Sequence, residues 1–422
     1  MRREGDKPPG RSRGGPRQSG AVEPPAGGNP TTSRRHGPVA RARSGSIEVS
    51  WKDLHAAGLK RHLAGDPAGA IERWSNALTR TREPRAHAQI LTDMGSAYSD
   101  LGHHEKAIES FSRAVGLMPG LSYAWLGLGA ARERAGDLEA AAACYSRAAE
   151  ADPLLPAAWN NLGVVYDLMG RHAEALDCFA RASRASPDSP QVWFNRGNAC
   201  IGIQDHEAAV AAYKKALQGS PDDHRIWYNL GFAFSRCGER QAAIGAYREA
   251  LRLKAADSST WYNIGNLYFD GNQIAPAIAC YQEALLLKPD DFDAWNNMGN
   301  AWVQAGALDE ALRCFSRAVE IQPSTAATWK NLGHTWSRLG NQERTLACFK
   351  EAIRLEEEQA SYYLNRALAY ARMGSDPEAF ADLRMALGLN PLLADLLPTL
   401  EPLQHLADDP RFKELIDWSD NP

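Results

Sequence analysis

The sequence predicts an all-α fold: a solenoid of about ten antiparallel helix pairs, closed by a C-terminal capping helix. Three observations predict it. WNNLG at 159–163 returns as WFNRG, WYNLG, WYNIG, WNNMG and WKNLG, each 34 residues after the last. Apolar residues follow helical spacing, and no segment reads as a strand. A glycine and a closing proline punctuate each unit where helices end.

The elements follow in chain order. Residues 1–47 read as a disordered, basic, Gly/Pro/Arg-rich tail with almost nothing to bury. Positions 1–46 hold ten Lys/Arg against three Asp/Glu, about +7, within a chain of formal charge −4. The rest therefore carries about −11. The opening MRREGDKPPG has a basic start but no apolar segment behind it, so secretion is not expected. An organellar transit peptide stays open, although glycines and prolines interrupt any amphipathic helix. No run approaches the roughly 18 apolar residues of a membrane span, and the expected compartment is cytoplasmic. RSRGGPRQ and RRHGPVARAR suit phosphate contacts. The tail has no aromatic residue on which a base could stack, so a solubilising or regulatory role is favoured over nucleic-acid binding.

Residues 48–391 form the array, and from Val49 to Pro391 the period reads as unbroken. PAAWNNLGVVYDLMGRHAEALDCFARASRASP, 156–187, shows its logic. Trp159, Gly163 and Tyr166 line one face of a first helix; Ala175, Phe179 and Ala182 line one face of a second. Gly170 ends the first helix and Pro187 the second. A glycine inside a helix costs about 1 kcal/mol against alanine, so the recurrence of Gly163 at 129, 197, 231, 265, 299 and 333 marks close helix approach. Asp137, Asp205 and Glu239 read as helix starters. Residues 392–422 read as the cap, with a helix near 393–405 and a short one near 410–417 that starts after Asp409.

Five of the seven cysteines, Cys144, Cys178, Cys280, Cys314 and Cys348, share one phase of the period. Stacked helices lie about 8–10 Å apart, too far for a disulfide, and no CxxC occurs. They read as small buried apolar residues. No nucleotide fingerprint, HExxH or GxSxG is present, and His103–His104 sits at a turn. The expectation is no catalytic residue, no metal site and no cofactor.

The spacing of Trp, Leu, Gly and Tyr, then Ala, Phe, Ala and Pro, resembles the tetratricopeptide repeat family, whose period is 34. The resemblance covers residues 51–391. It implies a right-handed superhelix in which the first helices line a concave groove, and a protein-interaction role.

By that resemblance Asn161, Asn195, Asn229, Asn263, Asn297, Asn331 and Asn365 would form a ladder along the groove floor. The long arrays of protein-modifying sugar transferases look similar here and hold extended peptides with such asparagines, but this chain lacks their transferase domain. An extended peptide advances about 3.3 Å per residue, so three residues span one repeat, and each carboxamide offers a donor and an acceptor. Phe194, Tyr228, Phe232, Tyr262 and Phe269 fall on the expected groove side, with Asn198, Asn266 and Asn300 one turn beyond the ladder. They are candidate anchors. The competing reading is that asparagine here is a packing preference of the family. The charged clamp by which some of these modules hold chaperone C-termini is not matched, since Lys330 and His334 fit it only in part.

The expected function is a non-catalytic scaffold that binds an extended partner segment in the groove. The alternative is a substrate-presenting subunit of a separately encoded modifying enzyme of the glycosyltransferase type. The expected partner is a protein or peptide, with self-association through end or edge contacts as a further reading.

Overall fold

A computed structural model describes residues 49–417; the basic tail of the sequence reading lies outside them. Every described element is helical. Twenty α-helices run in ten pairs from α1 (Trp51–Leu63) and α2 (Pro67–Leu78) to α19 (Ala360–Arg372) and α20 (Asp376–Leu389). The chain divides at Pro221/Asp222 into two compact units, each a run of stacked pairs.

The first unit holds α1 to α10. After α1 and α2 come α3 (Pro84–Asp100), α4 (His104–Leu117), α5 (Ser122–Arg134), α6 (Leu138–Ala151), α7 (Pro156–Leu168), α8 (His172–Ala185), α9 (Pro190–Gly202) and α10 (His206–Gly219). Its core is one aromatic ring per pair, set on the second helix and seated against the mid-helix glycine of the first. A Cβ placed on Gly163 would stand 2.7 Å from the Phe179 ring, closer than atoms pack. Trp74, Tyr145, Tyr213 and Phe179 are fully buried in this role, and each such ring contributes about 1.5–3 kcal/mol.

The turn between the helices of a pair needs a left-handed residue. Gly170 adopts φ 76°, and where glycine is missing Gln204 and Asn272 take φ 64° and 56°. Asp137 and Asp205 cap the helices they precede, accepting from Ala140 N and Ala208 N. Glu239 makes no such bond.

The period is broken once, against the sequence expectation. The core glycines Gly58 and Gly95 are 37 residues apart. The three extra residues fall between the first two pairs, and α3 is 17 residues long where α5 and α7 have 13. At its outer end α1 presents Asp53, Ala57 and Lys60 to solvent, at the places where α7 buries Ala158, Leu162 and Val165. That polar face ends the stack.

The second unit holds α11 (His224–Arg236), α12 (Arg240–Leu253), α13 (Ser258–Asp270), α14 (Ile274–Leu287), α15 (Phe292–Gln304), α16 (Leu308–Ile321), α17 (Ala326–Arg338), α18 (Gln342–Leu355), α19, α20 and α21 (Pro410–Asp417). Tyr247, Tyr281, Phe315 and Phe349 are its core rings. In the last pair Arg366 and Asp382 bond in two places at 2.7 Å.

The cap differs from the sequence expectation. In place of a helix over 393–405 there are three short 3-10 segments, 391–393, 397–399 and 401–406. Pro391, Pro398 and Pro402 lack the amide an α-helix interior requires. The expected helix near 410–417 is α21, and Asp409 accepts from Arg411 N at its start. Leu397, Leu403, Leu406, Phe412 and Leu415 are buried against the last pair.

Candidate functional site

All seven ladder asparagines lie on first helices, in the turn after the Trp position. The tryptophans are half-buried, and their indole N–H groups tie down the loops between pairs: Trp159 donates to Pro153 O and Trp295 to Pro289 O.

The asparagines obey a rule that the sequence reading missed. Four of the seven donate to the residue 35 positions earlier, on the first helix of the preceding pair. Asn195 Nδ2 donates to Asn160 Oδ1 at 3.0 Å and Asn263 Nδ2 to the Tyr228 hydroxyl at 3.1 Å. Asn297 Nδ2 donates to the Tyr262 hydroxyl at 3.0 Å and Asn331 Nδ2 to Asn296 Oδ1 at 3.3 Å. The residue 35 before Asn365 is Lys330, which has no acceptor, and Asn365 donates to Ser361 O on its own helix instead. Leu126 precedes Asn161 in the same way; Asn161 Oδ1 accepts from Asn160. The signal was in the sequence, in the residue type one place before the Asn of each preceding unit.

A second set of bonds runs from the core rings. Tyr213 donates to Asn198 Oδ1 and Tyr281 to Asn266 Oδ1, both at 2.8 Å. Asn266 Oδ1 also accepts from Asn297 at 3.0 Å, and Asn300 Oδ1 from Asn331 at 3.4 Å. Pairs whose core ring is Tyr thus link first-helix amides to the core, which Phe179, Phe315 and Phe349 cannot do. Beside Asn161 the Tyr145 hydroxyl donates to Glu133; burial and that carboxylate push the phenol pKa up.

Burial separates the expected anchors. Phe194, Phe232, Tyr262, Asn195, Asn229, Asn263 and Asn266 are buried. Tyr228, Phe269, Asn161, Asn297, Asn331 and Asn365 are half-buried. Asn263 is 1% exposed, and its Oδ1 is buried with no hydrogen-bond partner. Such a carbonyl costs about 1–3 kcal/mol until a donor reaches it. Among the described residues no group of three or more His, Cys, Asp or Glu is placed to hold a metal. No described helix is long and apolar enough to cross a membrane.

The family model described as "Cilia and flagella-associated protein 70 C-terminal domain", a tetratricopeptide-repeat family, matches residues 20–186 and 180–395. The chain belongs to that family. No curated protein matches the sequence. Similar solved structures include MamA, 23% identical over 42% of this chain and 96% of that one, TM-score 0.39. YrrB, whose structure is described as a TPR protein with an unusual peptide-binding site, is 25% identical over 43% of this chain and 94% of that one, TM-score 0.39. The C-terminal part of a TPR repeat-containing protein from Cytophaga hutchinsonii is 14% identical over 56% of this chain and 97% of that one, TM-score 0.50. At that identity the last likeness speaks to the fold alone, which is the tetratricopeptide fold.

Proposed function

We propose that this tetratricopeptide protein is a non-catalytic scaffold whose first helices hold an extended segment of a partner protein. The observation that carries the proposal is the stapled ladder. Asn195 in the first unit, and Asn263, Asn297 and Asn331 at one-repeat intervals in the second, have their N–H groups held by the preceding pair, which orients their carbonyl ends. That of Asn195 already accepts from Gln191 Nε2 at 2.8 Å. The unpartnered Asn263 Oδ1 is buried, so a peptide N–H would satisfy it only after the side chain turned outward. One net hydrogen bond contributes about 0.5–1.5 kcal/mol, and ordering a flexible segment costs about 2–5 kcal/mol or more. Several rungs must therefore act together, with help from Tyr228 and Phe269. The alternative is that the array presents substrates to a separately encoded modifying enzyme; modifying activity that co-purifies with the chain would favour that reading.

The test compares proteins retained from a native extract by the wild-type chain and by Asn195→Ala/Asn229→Ala/Asn263→Ala, at a temperature below both melting transitions where the two have the same helicity. The expected result is the loss of a defined set of partners from the variant alone. Identical sets would place the interaction surface elsewhere.

A further inference from the structure

Asn263, Asn297 and Asn331 repeat one arrangement at one-repeat spacing, which has a consequence for any segment they hold. Backbone contacts repeated at one-repeat spacing are satisfied again when the ligand slides by three residues. Something outside the ladder must fix the register. This inference rests on the groove reading above and names the chemistry that would set the register.

Lys330 and Arg338 lie two turns apart on one face of α17, and Lys330 is the neighbour of the rung Asn331. Arg372 ends α19 and donates through Nη1 to Ser337 Oγ at 2.8 Å, which places it beside the end of α17. Arg338 Nη1 lies 3.5 Å from Val303 O. Arg338 and Arg372 are exposed and Lys330 is half-buried. Both guanidinium groups are thus directed by neutral acceptors. Ion pairs on the neighbouring helices, Arg317–Glu320, Arg354–Glu351 and Arg366–Asp382, use other residues. Among the described residues none of the three cations has a carboxylate partner.

The place of Arg338 and Arg372 is filled in earlier pairs by Arg134, Leu168, Gly202, Arg236, Asp270 and Gln304. Cations there are isolated; only α17 and α19 carry them in neighbouring pairs. Outside residues 1–46 the chain carries about −11, and residues 326–417 alone hold ten Lys/Arg against fourteen Asp/Glu. An acidic ligand is therefore attracted only locally, at cations that no carboxylate of the chain already neutralises. The geometry points to Lys330, Arg338 and Arg372 as the docking point for a carboxylate-rich stretch of the partner segment. That stretch fixes the register, and the neutral remainder runs back over Asn331, Asn297 and Asn263. The residues and spacing differ from the chaperone clamp set aside above, which needs an Arg at a ladder position.

The experiment is fluorescence anisotropy on the full chain with two labelled 15-residue probes. One is neutral, built from Ser, Thr, Ala, Gln and Val; the other carries Asp-Glu-Asp-Glu at one end. Lys330→Gln/Arg338→Gln/Arg372→Gln is compared with Arg134→Gln/Arg236→Gln/Arg384→Gln, which removes the same charge elsewhere. The acidic probe is expected to bind at least tenfold tighter than the neutral one at low salt. That gain should disappear in the first variant and change less than twofold in the second. Equal binding of the two probes, or equal losses in the two variants, overturns the inference. If the neutral probe binds and depends on Asn195, Asn229 and Asn263 while the acidic end adds nothing, the docking point falls and the groove reading stands. If the acidic probe needs the three cations but ignores the ladder variant, the acidic contact stands and the groove reading falls. Failure of both probes to bind overturns both.

Discussion

Asn263 donates to the hydroxyl of Tyr228, 35 residues earlier, at 3.1 Å, and so ties one helix pair to the next. The same Nδ2 lies 3.3 Å from the Tyr247 hydroxyl. An asparagine repeated in phase is therefore part of the inter-repeat packing, whatever it does for a ligand. The staple forms where the preceding pair offers Asn or Tyr, and at Asn365 it is replaced by a local bond because Lys330 cannot accept.

The clean measurement of a staple is the Asn195–Asn160 pair, where donor and acceptor are both amides. In urea unfolding, Asn195→Ala and Asn160→Ala should each destabilise by about 0.5–1.5 kcal/mol. A double-mutant cycle should return a coupling of about 0.5 kcal/mol or more, the size found for residues in contact. Tyr228→Phe should cost less than Asn263→Ala, because Tyr247 still accepts from the amide. Additive losses at Asn195 and Asn160 would mean that the bond contributes nothing.

Gly163 and Gly170 are seven residues apart and fail for different reasons. Gly163→Ala drives a methyl into the Phe179 ring, and overpacking of that kind costs about 1–3 kcal/mol. Gly170→Ala meets no atom within 4 Å but must hold φ 76°, a left-handed strain of about 1–2 kcal/mol. Phe179→Leu should recover part of the first loss and none of the second. Thermal melting of the four variants checks this, and rescue of both glycine changes by Phe179→Leu would contradict the assignment.

The helices, the core rings and the turn glycines were legible because each is a short-range pattern that the chain repeats many times. The three residues inserted before α3 were not, since the phase resumes after them and only the distance from Gly58 to Gly95 betrays the change. The cap was misread because an apolar run of helical length, LLADLLPTLEPLQHL, hides two prolines that each remove an amide. At the site, the phase of Asn161 through Asn365 was plain. Its meaning depended on a partner in another repeat, which appears only when Asn195 is set against Asn160 or Asn263 against Tyr228. Burial of Phe194, Phe232 and Tyr262 could not be read either, because it depends on what neighbouring pairs place over them.

The shared-phase cysteines should be chemically silent near neutral pH. Burial pushes the thiols of Cys178, Cys314 and Cys348 up to about 12 and that of Cys280 to about 11. The nucleophile is the thiolate, so alkylation of the folded chain at pH 8 should spare these four and proceed once urea unfolds it. The sign for stability follows. The folded thiols hold their protons to higher pH than unfolded ones, whose ordinary value is 9.0. Their contribution is complete below that value and is lost as pH rises from about 9 towards 12. Replacing the four with Ala should flatten that alkaline decline, and an unchanged decline would assign it to other groups.

The last prediction concerns Arg366, which stands in α19 where Leu332 and Leu162 stand in their own first helices. Its guanidinium makes two bonds to the Asp382 carboxylate, whose side chain is 7% exposed. Removing one partner strands the other's charge, so Asp382→Ala and Arg366→Ala should each cost about 3–5 kcal/mol. Arg366→Leu/Asp382→Leu removes both charges and restores the apolar contact seen in most other pairs, Arg196 of α9 being the exception. It should come within about 1 kcal/mol of the wild type, or exceed it, since a buried ion pair rarely outweighs its own desolvation. Chemical unfolding followed by hydrogen exchange on α19 and α20 distinguishes the cases. If the double replacement is as damaging as either alanine variant, the pair supplies a specificity to the last repeat that apolar packing cannot replace.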